Sequence, residues 1–496
     1  MLSTYAQEVT DSASSLPVEA KRRYGIQHQY DQDLLTKEFH KGRRDILRAL
    51  LPSNSVAVFF ANPVRNRSYD INYEYHQDPN FYYLTGLNEP HSLLLLFKEV
   101  QNFDSIESNE YIFVQPKDTA LVQWGGRMLS KVDLSYISGI DVSAISLNHE
   151  FADLEIDFPS FDKIFYLPTY NDIRDDKTDR GDLFSLIKHF KLKLQTSIPP
   201  ALSEHPSSEW EANSHQTVNN LDTRMLKEMM SSLREVKQDE ELILIRKAIN
   251  ITCKAHIELM KMLEPGMKEY QAEAIVEYVF KNNGAEHPGF PSILGGGENT
   301  CVLHYTSNRK KLFENELLII DIGAEYHGYT GDITRTLPVN GKFTQEQKTI
   351  YNIVLEAQTA AIRTCKVGNR FWTPNETAIS VVKKKLLQAG IIKNENEYHK
   401  YLMHGTSHYV GLDVHDAGLY GNLKPGNVIT VEPGIYIPEG SDCDPKWWNI
   451  GIRIEDDILI TNTGPEIFSD CVPKSIEEIE KLMQDEGNKV IGEKGN

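Results

Sequence analysis

Asp321, Asp332, Glu432 and Glu455 each interrupt apolar, strand-like text, in LLIIDIG, YTGDITRT, ITVEPGIYIP and IGIRIEDDILI respectively, and His408 stands in a further distinctive frame, HGTSHYVGLDVHD. A charge buried without a partner costs several kcal/mol or is neutralised by a proton, so a strand that turns a carboxylate inward needs something positive opposite it. Any one of these acids could be an exposed turn residue or half of a salt bridge. Four of them with an imidazole point instead to a fold that gathers all five around two divalent metal ions.

Oxygen-dominated ligation with one imidazole suits a hard or borderline cation, manganese (Mn2+) first, with zinc and cobalt as alternatives. Two such ions can share a water molecule, lower its pKa toward neutrality and polarise a carbonyl, which is chemistry for hydrolysing an amide or ester. Residues two apart on a strand share a face, which aligns Asp332 with Thr330 and Thr334, and Glu455 with Arg453. A hydroxyl and a guanidinium there could orient ligand carboxylates, although Arg453 could equally neutralise an acid at a strand end. Four further histidines lie near these motifs: His304, His404, His415 and His327, the last reading as a turn residue. His404 and His408 are spaced like the histidines of an HExxH zinc helix, but Gly405 stands where that motif needs glutamate. Gly295 to Gly297 lack the Lys-Ser/Thr of a phosphate loop, and no GxSxG nucleophile elbow is present.

The formal charge of -19 and the lack of a basic stripe argue against nucleic acid as a partner. No apolar run approaches the ~18 residues of a membrane-spanning helix, so no membrane partner is expected. The five cysteines are odd in number and lack CxxC spacing, so reduced thiols are expected rather than a disulfide framework. The start MLSTYAQEV has no basic region or long apolar stretch, which favours the cytoplasm unless Leu2 to Gln7 is the stub of a clipped signal.

Val56 to Ala61, Ser92 to Phe97, Tyr111 to Val114 and Lys163 to Leu167 read as strands alternating with helical text, predicting an α/β domain over residues 31–230 after a polar lead-in, 1–30. The polar stretch Glu204 to Asn220 marks the approach to a boundary near 230. Residues 231–485 then form a second domain, with 486–496 as a polar tail. In it Leu242, Ile245 and Ile249 recur at helical spacing, and Thr344 with Gln347, and Thr373 with Pro374 and Glu376, read as helix starts. Strands are expected at Leu317 to Asp321, Tyr329 to Leu337, Val428 to Glu432 and Gly451 to Ile460. Each pair of strands follows two helices, so an approximate duplication would set two pairs of carboxylates across one cleft.

These motifs resemble a known family. DIGAEYHGYTGDITRTLPVNGKFT, HGTSHYVGLDVHD, ITVEPGIYIP and GIRIEDDILIT, within residues 235–482, are similar to the pita-bread metallopeptidases, which include methionine aminopeptidase, prolidase and aminopeptidase P. YHQDPNFYYLTGLNEP (75–90) and HYTSN (304–308) resemble aminopeptidase P in particular. The resemblance implies an α/β (α+β) chain with a non-catalytic N-terminal domain and a C-terminal pita-bread catalytic domain. It implies that Asp321 binds one metal, His408 the other, that Asp332 and Glu455 bridge them, and that Glu432 is both a ligand and the proton shuttle. His304, His404 and His415 match histidines that surround the substrate, and Arg453 matches an arginine behind the ligands. Tyr82 takes a position where the family can carry a tryptophan that reaches a neighbouring subunit's active site.

The implied activity is removal of an N-terminal residue when proline follows it. The Xaa-Pro bond has no amide hydrogen, so peptidases that bind that N–H handle it poorly. Expected partners are peptides with proline second, and further copies of the chain in a dimer or tetramer. Prolidase, restricted to dipeptides, is the alternative enzyme, and a silent family member acting as a binding module is the alternative of another class.

Overall fold

The computed structural model describes residues 33–485, apart from 119–121, 125, 127, 170–171 and 195–219. The expected lead-in, the tail and nearly all of the polar stretch 204–220 lie outside the described residues. The chain divides into two compact units, with the boundary after Met230.

In the first unit, helix α1 (Lys37–Leu50) starts at Thr36, whose hydroxyl accepts from Phe39 N. Strands β1 (Ser55–Phe60), β2 (Leu93–Phe103), β3 (Ile106–Val114), β4 (Ile145–Leu147), β5 (Lys163–Tyr166) and β6 (Leu221–Asp222) form one sheet in the order β4-β3-β2-β1-β5-β6. β1 pairs antiparallel with β2 and parallel with β5, and every residue of SVAVFF is buried, as befits a central strand covered on both faces. The short helix α2 (Pro79–Thr85) is capped by Asp78 and stopped by left-handed Gly86 at φ 70°, and it carries Tyr82. Buried Arg44 binds Glu110 through Nε and Nη2, both at 3.0 Å, and the carbonyls of Leu84 and Ser138, tying α1 to the sheet and to α2.

The second unit is built from two similar runs. The first comprises α3 (Asp239–Met262) and α4 (Glu269–Asn282), which pack together, followed by β7 (Ile293–Gly296), β8 (Leu317–Ile322) and β9 (Ile333–Pro338) in one antiparallel sheet. The second comprises the packed helices α5 (Gln345–Ile362) and α6 (Thr373–Gln388), then β10 (Val428–Val431), β11 (Gly434–Ile437), β12 (Ile450–Arg453) and β13 (Asp456–Thr461). β10 pairs with β13 and β11 with β12, all antiparallel. Among the described residues no helix is long and apolar enough to cross a membrane.

Three features differ from the sequence reading. The strand expected over 329–337 breaks at Gly331 and Asp332, that over 428–432 stops at Val431, and that over 451–460 breaks at Ile454 and Glu455. Asp332, Glu432 and Glu455 therefore sit in interruptions of the ladder, where a side chain can leave the period-2 alternation and be re-aimed. Cys253, on α3, is joined to Cys471 by a disulfide with Cα atoms 6.2 Å apart, against the expected reduced thiols. Separated by 218 residues, the pair leaves no spacing signature. Thr344 and Gln347 do form a capping box, but α6 begins with Trp372 in helical conformation and no side-chain cap, while Glu376 pairs with Arg370.

Candidate metal centre

Nine of the ten residues singled out from sequence lie in the second unit; Tyr82 lies in the first, its ring edge-on to His40 at 6.3 Å. Asp321 projects from β8, and Arg453 closes β12. The buried guanidinium of Arg453 donates through Nη2 to Asp321 Oδ2 at 2.6 Å, through Nη1 to the Tyr436 hydroxyl at 2.8 Å and through Nε to Thr334 Oγ1 at 3.2 Å. Arg453 thus serves Asp321 rather than the strand neighbour Glu455. Thr334 does face Glu455, donating to its Oε2 at 2.6 Å, whereas Thr330 turns to the Gly331 carbonyl.

The Tyr436 hydroxyl continues to His404 Nε2 at 2.8 Å, and His404 Nδ1 lies 2.8 Å from the Gly405 carbonyl. A carbonyl only accepts, so Nδ1 carries the proton and Nε2 accepts from Tyr436. Burial lowers the His404 pKa to about 4, which keeps the ring neutral near neutral pH. His408 follows the same logic: its Nδ1 lies 3.0 Å from the Tyr409 carbonyl. In the neutral ring the bare Nε2 then faces Asp332 Oδ2 at 3.4 Å and Glu432 Oε1 at 3.5 Å.

Three acceptors converge there, and they repel unless a proton or cation stands between them. Ligand atoms of Asp332, His408 and Glu455 lie within 4.8 Å of one another, and Asp321 Oδ1 and Asp332 Oδ1 are buried without a hydrogen bond among the described residues. Burial, then Asp321, Asp457 and Glu432, push the Asp332 carboxyl well above the usual range. Burial, then Asp332, Glu432 and Asp321, do the same to Glu455, and burial is the largest cause of the rise of Glu432 to about 7. This donor set fits divalent cations, whose charge would reverse each of these shifts.

Two participants were not anticipated. Tyr436 joins Arg453 to His404, and the available signal was that a phenol on a buried strand needs a partner. Asp457, the last acid of the EDD run, is buried and accepts from the Asp332 backbone N–H at 2.9 Å, fixing where that carboxylate starts. Around the cluster, the His415 ring meets that of His408 edge-on at 4.4 Å, and Asp416 beside it is held by Arg234 and Lys237. Exposed His304 is close enough to help lower the pKa of both His404 and His415.

The raised carboxyls predict a pH-dependent response to metal. A carboxyl whose folded pKa exceeds its unfolded value stabilises the fold fully below the unfolded pKa and loses that contribution as pH rises through the folded one. For Glu432 the window runs from 4.5 to about 7. The metal-free protein is therefore expected to lose Tm across this window relative to the loaded protein, whose ligands are already ionised. Calorimetry of both forms at several pH values should show the gap widening with pH; a constant or narrowing gap would contradict the electrostatic picture.

Residues 243–462 match the model of metallopeptidase family M24, and residues 39–154 that of the aminopeptidase P N-terminal domain. The chain is 35% identical over 468 residues to the Xaa-Pro aminopeptidase of Escherichia coli, spanning 91% of this chain and 98% of that one. It is 36% identical to the Xaa-Pro aminopeptidase of Haemophilus influenzae, with 90% and 98% covered. Among solved structures, E. coli aminopeptidase P with the inhibitor Pro-Leu superposes with a TM-score of 0.77 at 33% identity, covering 90% of this chain and 98% of that one.

Proposed function

Since the chain belongs to metallopeptidase family M24 and carries the N-terminal domain of aminopeptidase P, we propose that it hydrolyses the N-terminal Xaa-Pro bond of peptides at the carboxylate–histidine cluster of its second unit. The observation that carries this reading is the convergence of His408 Nε2 with the carboxylates of Asp332, Glu432 and Glu455. Asp321, Asp332, His408, Glu432 and Glu455 would hold two divalent ions, with manganese the first choice for this donor set and zinc or cobalt next. When bound, such ions supply Lewis acidity toward the scissile carbonyl and lower the pKa of water.

Glu432 is the group placed for shuttling: its carboxylate, 3.5 Å from His408 Nε2, can take a proton from water and return it to the departing proline nitrogen. Arg453 holds Asp321 in place by a hydrogen bond to its Oδ2 and, through Tyr436, sets the tautomer of His404. Neutral His404 presents no spare N–H, so its part is to shape and polarise the site. His304 and His415, the latter held neutral chiefly by burial, are left to meet the substrate on either side of the scissile bond.

The first unit would set peptide length and assembly into a dimer or tetramer without doing chemistry, with Tyr82 offering an aromatic face to the peptide. One panel tests both readings: Xaa-Pro peptides graded from two residues upward, assayed with manganese on the wild type and on Tyr82→Ala. Cleavage of long peptides, with KM raised modestly in the variant and metal content unchanged, is expected; an aromatic contact is worth about 0.5–1.5 kcal/mol beyond its area. Activity confined to dipeptides would transfer the chain to the prolidase reading, and no cleavage of any peptide to the binding-module reading. The Cys253–Cys471 disulfide supports an oxidising compartment over the cytoplasm expected from the N-terminal text. Two reactive thiols more than the three free cysteines, titrated in unfolded protein purified under thiol-blocking conditions, would restore the cytoplasmic reading.

A further inference from the structure

The segment from Gly296 to Lys310 brings His304 to the cluster, yet past Val302 it has no regular structure of its own. What holds it is one carboxylate. Glu269, at the first position of α4 and completely buried, receives four hydrogen bonds, all from this segment. Gly296 N donates to Oε1 at 2.8 Å and Asn299 Nδ2 to the same oxygen at 3.1 Å. The Tyr305 hydroxyl donates to Oε2 at 2.9 Å and Lys310 N at 2.8 Å, while Glu269 N returns a bond to the Lys310 carbonyl at 3.0 Å. Tyr305 is the residue next to His304. A negative charge also suits the first turn of a helix, where the unpaired N–H groups gather.

On its other side the segment is pinned to the ligand-bearing strands. Gly451 N on β12 donates to Thr300 Oγ1 at 2.9 Å, and Arg453 Nη2 reaches the Leu303 carbonyl at 3.4 Å. A Cβ on Gly451 would stand 2.1 Å from the Thr300 carbonyl oxygen, so this approach requires glycine. Glu269 is thus the outer clamp of a loop whose inner clamp is Arg453.

We infer that Glu269 is a positioning residue for His304: it fixes where the imidazole meets the substrate without touching the cluster itself. The inference rests on the reading that His304 contacts the substrate. Misplacing a contact by about an ångström can cost up to roughly 100-fold in rate. The test is a double-mutant cycle on the metal-loaded enzyme with an Xaa-Pro tripeptide, using Glu269→Gln, His304→Ala and both together, with metal content measured in each.

Glu269→Gln is expected to lower kcat/KM by roughly 10- to 100-fold at unchanged metal content, and to add less than about two-fold in the His304→Ala background. Equal losses in the two backgrounds, or loss of metal from Glu269→Gln, would overturn the inference while leaving the role of His304 standing. A His304→Ala enzyme with wild-type kcat/KM would overturn the role of His304, and the inference with it. Should Glu269→Gln not fold, Tyr305→Phe removes one hydroxyl from the same clamp and is read through the same cycle, a loss that disappears without His304 being the supporting result.

Discussion

Glutamine in place of Glu432 is expected to reduce kcat on an Xaa-Pro peptide by roughly 10²–10⁴-fold, the usual worth of positioned acid–base assistance. The amide keeps the shape of the side chain and can still offer an oxygen to a cation, but it can neither take nor return a proton. Glu432 Oε1 lies 3.5 Å from His408 Nε2, at the point where the cluster's acceptors converge. The pH profile separates proton transfer from loss of ligation: in the variant, the limb of kcat reporting this group should vanish, and metal content should stay at the wild-type level. A variant that retains the wild-type metal content and turns over within a few-fold of wild type would remove Glu432 from the proton-transfer role.

Exhaustive chelation is expected to abolish hydrolysis, and manganese to restore it. The expectation follows from the converging acceptors: without cations, Asp332, Glu432 and Glu455 relieve their repulsion by holding protons, and a protonated cluster cannot activate water. Restoration should therefore be steeper at higher pH, because cations displace these protons on binding. Competing zinc and cobalt titrations rank the metals. Full activity in protein verified as metal-free would refute the proposed chemistry outright.

The clustering of His408 with Asp332, Glu432 and Glu455 was legible in the sequence. A carboxylate inside LLIIDIG or ITVEPGIYIP conflicts with its surroundings, and that local conflict marks a functional position. The same logic works poorly where no conflict shows. Tyr436 is an ordinary strand residue until its hydroxyl must find Arg453 and His404, and Glu269 looks like a common helix-start acid until four donors from a distant loop close on it. Period-2 alternation also misassigned Arg453 to Glu455, because it presumes an unbroken strand and the ladder is interrupted at Ile454 and Glu455. The Cys253–Cys471 bond depends on tertiary proximity alone. The cap expected at Thr373 failed for a local reason: Trp372 already adopts helical dihedrals, so the helix needs no side chain there to begin.

Arg335 illustrates a consequence for how the molecule is made. Wholly buried beneath the cluster, it donates to the Glu455 carbonyl at 2.6 Å, to Asp456 Oδ1 at 2.8 Å and to the carbonyls of Val472 and Pro473, both at 3.1 Å. A chain emerging from the ribosome delivers Asp321 and Asp332 more than a hundred residues before these partners exist. Until then a guanidinium and two carboxylates have no complete set of partners, so the first run of the second unit must wait in an open or solvated form. Competence to bind cations thus arrives only once Glu455 and the residues around it have been translated, which keeps a half-made chain from assembling a hydrolytic centre.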